Sequence, residues 1–275
     1  AGLDFDIFEK YSELGGIWQI KNPDSPIYPS AHFISSKTIS QIPGFPMPPS
    51  FPDYPSHGHI LSYLKSFAKA YDLEEKIAFN SAVQKVTQTT GNRFEVLTEK
   101  GLRQTYDGVV VCNGHTWKPN WPEYEGQFQG ETLHSIQYKS PNLFKGKRVL
   151  VVGGGNSAID IACDAAIHAQ SASLSLRRGY HFFPKHILGI PLDVINSTPP
   201  LPSWAQHLMA KFILRVFVGD ITRFGLPAPD HAPLESHPIV NSQVLHYLSH
   251  GALTVKKDIE KFEEKSVFYS VKNKS

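Results

Sequence analysis

The sequence predicts an α/β fold assembled from two similar units, and three stretches carry that expectation. Val149–Val152 is a continuous aliphatic run, the mark of a strand buried on both faces. It leads straight into Gly153-Gly154-Gly155 and then into a helical pattern from Asn156. Ser171–Leu176 reads as the next strand, so strand, glycine turn, helix and strand follow in the order of one βαβ unit. Near the start of the chain, Leu3–Phe8 reads as a strand closing on Glu9, which resembles the second strand of another such unit.

Within the first of these stretches, Gly153, Gly155 and Ala158 fit the pattern G-x-G-x-x-G/A. Glycines at these positions let backbone N–H groups and a helix N-terminus approach a pyrophosphate. The pattern alone is weak; a strand before it and a helix after it supply the context that a dinucleotide site needs. Arg177 stands about 24 residues beyond Gly153, near where a site for NAD places a carboxylate on the ribose 2′-OH. Arg177 and Arg178 instead suit a 2′-phosphate, through charge-assisted and often bidentate hydrogen bonds. The expected ligand is NADP(H); a solvated basic loop is the bland alternative.

At the other unit, Glu9 is placed to accept from an adenosine ribose, or it is an ordinary surface glutamate. Gly15-Gly16-Ile17-Trp18 follows, a glycine pair that permits close backbone approach to a ligand and delivers an amphipathic aromatic. Trp18 then lines a flavin pocket or serves as plain core. A ribose-reading Glu9 implies a preceding strand, glycine turn and helix, about 25–30 residues of the unit. The sequence starts instead at Ala1, so the expectation is a stretch of a longer protein.

The elements between these landmarks follow in order. From Lys21 to His57 prolines and aromatics alternate without periodicity, an excursion of the kind that covers a site. Ile60, Leu61, Leu64, Phe67, Ala68 and Tyr71 recur at helical spacing. Ile77–Val86 and Phe94–Thr98 alternate as strands about a Gly91-Asn92 turn, and Tyr106–Cys112 reads as a buried strand closing on Asn113-Gly114-His115. Pro119–Gly130 is a connector. The expected boundary lies near Pro141-Asn142, separating a first domain over 1–142 from a second over 143–275. Beyond Arg178 the chain is harder to read, with proline clusters at 199–202 and 227–233. Trp204–Phe217 is an apolar amphipathic helix, expected in the core or at a subunit contact. Ile239–His250 reads as helix, and Ala252–Val255 and Ser266–Val271 as strands.

Composition narrows the class. A net charge of +2 with 19% charged residues gives no nucleic-acid surface. His246 and His250 are spaced i, i+4, but no Glu follows the first, so the zinc-protease pattern fails. Cys112 and Cys163 form no C-x-x-C, which removes a dithiol redox centre and fits a reducing compartment. No apolar run reaches the ~18 residues of a membrane span. A cytoplasmic protein without membrane association is expected.

The residues also resemble a known family. Phe128, Gly130, His134 and Tyr138 match F-x-G-x-x-x-H-x-x-x-Y, the identifier of flavin-containing monooxygenases, just ahead of the second glycine motif. Related Baeyer–Villiger enzymes usually carry Trp where this chain has Tyr138. FEK at 8–10, GGIW at 15–18, SSK at 35–37, DYPSH at 53–57, CNGH at 112–115 and RRG at 177–179 fall in the family's order. The resemblance covers most of the chain and is weakest between Tyr180 and His237.

The resemblance implies two Rossmann-like domains, an FAD domain that lacks its first strand, glycine motif and helix, and an NADP domain inserted in it. It implies FAD contacts at Glu9, Gly16, Ile17, Trp18, Ser35, Val83 and Gly114. It implies NADPH contacts at Gly153, Gly155, Asn156, Ser157, Ala158, Ile159, Asp160, Arg177 and Arg178. His134 resembles the family's linker histidine, a hinge more than a proton donor. The implied reaction takes hydride from NADPH to FAD, then passes one oxygen atom of O2 through a flavin C4a-hydroperoxide to a soft nitrogen or sulfur nucleophile. No acid–base pair or nucleophile among the residues stands out as catalytic, consistent with chemistry carried by the cofactor. One departure stands out: Ile34 occupies the position where the family often has an Asn near the flavin, which keeps an uncoupled NADPH oxidase or reductase open. A non-catalytic, truncated nucleotide-binding protein is the alternative of another class. A homodimer is the expected assembly, if any.

Overall fold

The computed structural model describes residues 2–197 and 202–270. Among the expectations, prolines 199 and 200 and the last strand residue, Val271, lie outside these residues. The chain forms two compact units, one from Ala1–Ile27 with Ser56–Pro119 and one from Tyr28–Pro55 with Asn120–Ser275. The division thus falls after Pro119 and gives the proline-rich excursion to the second unit, whereas the sequence places the boundary near Pro141. The connector belongs with the second unit because its strand Glu125–Phe128 pairs, parallel, with Ile259–Glu264. That strand in turn pairs antiparallel with Ser266–Tyr269.

In the first unit, Ile7–Phe8 pairs parallel with Ile77–Ala78. The expected strand Leu3–Phe8 shortens to these two residues because its one partner offers only two. Ile77–Val86 is likewise broken: Asn80 adopts a positive φ of 51°, and the chain resumes at Val83–Gln88 against a different neighbour. Val83–Gln88, Phe94–Thr98 and Arg103–Tyr106 form an antiparallel sheet. Gly91 and Asn92, with φ of 79° and 58°, make the expected turn. The helix His57–Ala70 starts at a capping box in which the Ser56 backbone N–H donates to His59 Nδ1, and it buries Ile60, Tyr63 and Ala68. Tyr106–Cys112 departs from expectation. Only Tyr106 lies in a strand, and Val110 and Val111 are 87% and 73% exposed. No strand among the described residues pairs with them, so apolar composition alone does not make a ladder.

In the second unit, Arg148–Val152, Ser171–Ser175 and Leu253–Lys256 form a parallel sheet with Ser171–Ser175 in the middle. The helix Asn156–His168 crosses between the first two and buries Ile159, Ile161, Ala162, Cys163 and Ala165. This is the expected βαβ unit, and the fold class is α/β. Arg148–Val152 is only half-buried, not buried on both faces, because it is the edge strand of this sheet. Ile239–His250 is helical only over Gln243–Ser249. Its first residues, Ile239–Val240, pair parallel with Phe182–Phe183 instead.

The helix Ser203–Ile213 buries Ala210 and Ile213 on Phe183 and Leu192, while Trp204, Leu208 and Phe212 are exposed. The helix expected in the core or at a subunit contact is therefore core on one stripe only. Among the described residues no helix is long and apolar enough to cross a membrane, and no group of three His, Cys, Asp or Glu side chains is arranged to hold a metal ion.

Candidate dinucleotide-binding site

Between the strand Arg148–Val152 and the helix Asn156–His168 the glycine turn makes an open cradle. Gly153 has φ +119°, a conformation that an L side chain rarely adopts, and its N–H donates to Ser175 O at 3.0 Å on the adjacent strand. Gly155 precedes the helix, and a Cβ built there meets nothing within 4 Å. That face is free for a ligand. No side chain caps the helix at Gly155, so the first-turn N–H groups and the positive end of the dipole are presented to an anion.

Gly154 serves a different purpose. A Cβ there would lie 2.1 Å from Tyr180 Cε2, so only glycine lets the Tyr180 ring rest on the turn. The Arg178 guanidinium sits 5.2 Å from the centroid of that ring. Its pKa is raised, first by a hydrogen bond with the Tyr180 side chain. Arg178 also reaches Ser236 Oγ at 3.4 Å. Arg177, exposed, lies on the side of Tyr124, whose pKa is raised by burial and eased by the Arg177 charge. The two arginines, adjacent in sequence, therefore serve different neighbours, and Arg178 is the one tied to the glycine turn.

Among the other residues expected to wrap a pyrophosphate, several side chains are committed to the fold. Asn156 donates to Pro238 O at 3.2 Å and accepts from Val240 N at 2.9 Å, pinning the helix start to the strand Ile239–Val240. Ile159 is fully buried. Asp160 accepts from the Tyr28 hydroxyl at 3.0 Å and from Asn241 Nδ2 at 2.8 Å. Burial raises its pKa, while those two hydrogen bonds work against the rise. Burial and the Asp160 charge raise the Tyr28 pKa well above the ordinary phenol value, and a hydrogen bond with Ser157 opposes this. Ala158 packs its Cβ near Gly153. What remains for a phosphate is backbone: the open Gly155 face and the helix N-terminus.

The identifier residues acquire physical roles. The Phe128 ring fills the space a Cβ at Gly130 would need, and it meets Phe262 at 5.7 Å. His134 caps a short 3-10 turn: its Nδ1 accepts from Ile136 N at 3.3 Å, its backbone N–H donates to Gln137 Oε1 at 2.8 Å, and its ring packs 5.5 Å from Trp121. Tyr138, 2% exposed, stacks on Phe144 at 5.0 Å and donates to Asp164 Oδ2 at 2.9 Å. No local pattern in the sequence marks Asp164, Tyr28, Asn241 or Tyr180. Asp164, Tyr28 and Asn241 find partners far along the chain, and Tyr180 is set by the fold of the turn it covers.

On the side expected to meet a flavin, Glu9 accepts from Tyr11 N at 2.9 Å, and its backbone N–H donates to Ala78 O at 3.1 Å. Gly15 has φ +124° and a Cβ there would strike Leu61 Cδ1 at 2.4 Å, so this glycine is required by the helix packed on it. Gly16 O accepts from Asn22 Nδ2 at 3.1 Å and Ile17 O from Ser25 Oγ at 2.5 Å, which stiffens the turn carrying the half-buried Trp18. Gly114 has φ +70°, and the Trp117 indole lies against it. Val83 is exposed on its strand. These residues belong to the first unit; Ile34, 37% exposed, and Ser35, whose Oγ lies 2.6 Å from Ser40 Oγ, belong to the second.

Comparison with known proteins gives the family of the chain. The family described as flavin-binding monooxygenase-like matches residues 1–274. Flavin-containing monooxygenase 5 of Oryctolagus cuniculus is 31% identical over 98% of this chain and 54% of its own length. Dimethylaniline monooxygenase [N-oxide-forming] 2 of the same organism is 30% identical over the same shares. The chain thus spans about half the length of the curated relatives it matches. Among solved structures, an oxidized steroid monooxygenase bound to NADP superposes with a TM-score of 0.75 at 19% identity, covering 99% of this chain and 64% of its own.

Proposed function

The chain belongs to the flavin-binding monooxygenase-like family, and on that premise we propose that the protein is an FAD- and NADPH-dependent monooxygenase acting on a small molecule with a soft nitrogen or sulfur atom. The observation that carries the reading is the glycine turn. Gly153 and Gly155 open onto a helix N-terminus, and Arg178 stands at the end of the next strand with its guanidinium exposed. These residues fit NADP(H): the backbone of the turn and helix would hold the pyrophosphate, and Arg178, with Arg177 beside it in sequence, the 2′-phosphate. The stiffened Gly15–Trp18 turn and the Glu9 carboxylate would hold the flavin and its ribose. We assign the first unit to FAD and the second unit's parallel sheet to NADP.

When bound and reduced, the flavin supplies activation of O2 and delivery of one oxygen atom. The chain's own work is to bind, orient and exclude water. Asp160, Asp164 and their tyrosine donors hold the helix behind the cradle, and the excursion that carries Tyr28 and Ser30 is fastened to that helix. The name of the second rabbit relative, N-oxide-forming, describes that protein; it favours nitrogen as one target here.

The test is substrate turnover by the purified protein supplied with FAD, NADPH and O2, with N,N-dimethylaniline and a thioether as probes. Oxygenated product formed in step with NADPH consumption is expected. Hydrogen peroxide equal to the NADPH consumed, with no oxygenated product, would instead establish an oxidase, the reading that Ile34 favours.

A further inference from the structure

We propose that Tyr180 is a gate on the glycine turn, latched by Arg178, and that a 2′-phosphate opens it by drawing the guanidinium off the ring. The inference deepens the NADP(H) reading and rests on it. The ring occupies the side of the turn at Gly154, where a Cβ would lie within 2.1–2.7 Å of three of its atoms, while the side at Gly155 stands open. A pyrophosphate lying along the whole turn must share that space with the ring. The ring can leave without dragging the chain. Gly179 beneath it is pinned by its bridge to Pro229, and a Cβ there would lie 2.1 Å from Ala228 O, so the backbone stays and only the side chain turns.

The latch is weak and its competitor is strong. An exposed guanidinium over a phenol ring is worth about two- to fivefold in an equilibrium constant, and Arg178 is exposed. A guanidinium–phosphate pair is charge-assisted and often bidentate, and exceeds this. A dinucleotide bearing a 2′-phosphate therefore exchanges the ring for a better partner of Arg178 and frees the turn in the same step. A dinucleotide with a bare 2′-OH offers Arg178 no such exchange, so it must push the latched ring aside. Discrimination against NAD(H) then comes from the guanidinium–phosphate pair, which NAD(H) cannot form, while the cost of opening the gate falls on both dinucleotides alike. The gate also accounts for glycine at 154, which the G-x-G-x-x-G/A pattern does not demand.

The experiment is isothermal titration of the full chain with NADP+ and with NAD+, for the wild type and for Arg178→Ala and Tyr180→Ala. In Tyr180→Ala, NADP+ and NAD+ are both expected to bind about threefold more tightly, as release of a latch of that strength allows. The NADP+/NAD+ preference should therefore stay as in the wild type, since the latched free state is common to both ligands. A purely structural role for Tyr180 would weaken both ligands alike, and that result would overturn the gate. If Tyr180→Ala does not fold, as judged by circular dichroism, Tyr180→Leu removes the π face that holds the latch, and the same tightening of both ligands is expected. Affinities unchanged in the Tyr180 variants, with the preference lost in Arg178→Ala, would overturn the gate and leave the 2′-phosphate reading standing. A preference that survives in Arg178→Ala would overturn both.

Discussion

The hydroxyl of Tyr138 and that of Ser30 donate to the same oxygen, Asp164 Oδ2, at 2.9 Å and 2.5 Å. One donor comes from the segment just ahead of the parallel sheet and the other from the proline-rich excursion, over a hundred residues away from its acceptor. One turn earlier on the same helix face, Asp160 takes Tyr28 and Asn241. The helix behind the cradle is thus the point at which three distant segments are fastened.

Tyr138→Phe keeps the stack on Phe144 and removes only the hydroxyl. Asp164 retains Ser30, so the loss is expected at about 1 kcal/mol, a fall of about 2–4 °C in Tm for a chain of this size. A thermal melt of the two proteins checks it. An unchanged melt would mean that Ser30 alone satisfies the carboxylate.

Stability should depend on pH through Asp160. Burial raises its pKa above the ordinary value of 3.8, so the folded protein binds this proton more tightly than the unfolded chain. Folding is then favoured at low pH by this group, and that advantage is lost as pH rises from about 4 through the folded pKa. Asp160→Asn removes the titration. The difference in denaturant midpoint between variant and wild type should therefore shift in the variant's favour as pH climbs from below 4 towards neutrality; parallel curves across that range would contradict the assignment.

Neighbouring glycines of the turn should respond differently to alanine. Gly153→Ala forces a side chain into φ +119° and is expected to cost about 1–3 kcal/mol of stability along with dinucleotide binding. Gly154 carries no such backbone demand, but its new Cβ would collide with the Tyr180 ring. Gly154→Ala should leave the fold closer to wild type and expel the ring. Its affinity for both nucleotides should rise as in Tyr180→Ala. Melting curves and titration with both nucleotides separate the two cases.

Replacing the apolar side chain beside the SSK stretch tests coupling. Ile34 is partly exposed, and its side chain carries no polar atom. Ile34→Asn puts an amide there, and the share of NADPH electrons lost as hydrogen peroxide is expected to fall severalfold. An unchanged peroxide yield, measured with and without a thioether substrate, would place residue 34 away from the reacting groups.

Much of the second unit is legible in the sequence because its signals are local. An aliphatic run, three glycines, a helical pattern and a further strand stand within about thirty residues, and each is set by neighbours in the chain. The identifier Phe128–Tyr138 is equally visible, as are the helix His57–Ala70 and the Gly91-Asn92 turn. The strands expected at Leu3–Phe8 and Tyr106–Cys112 form only in part because a strand needs a partner, and composition does not reveal whether one is in place. Val110 and Val111 have the side chains of a buried strand and lie in solvent.

The sequence by itself determined the α/β class, the glycine turn and the likeness to a family, since these rest on backbone freedom and short-range periodicity. Only the tertiary structure decided which side chains are left to meet a ligand. It turned Ile159 and Asp160 inward, drew Asn156 onto a strand, parted Arg177 from Arg178, and laid Tyr180 on Gly154. Most of these depend on contacts between residues distant in the chain, and the free energy that selects them, from burial and from satisfying polar groups, is created only when the chain closes on itself.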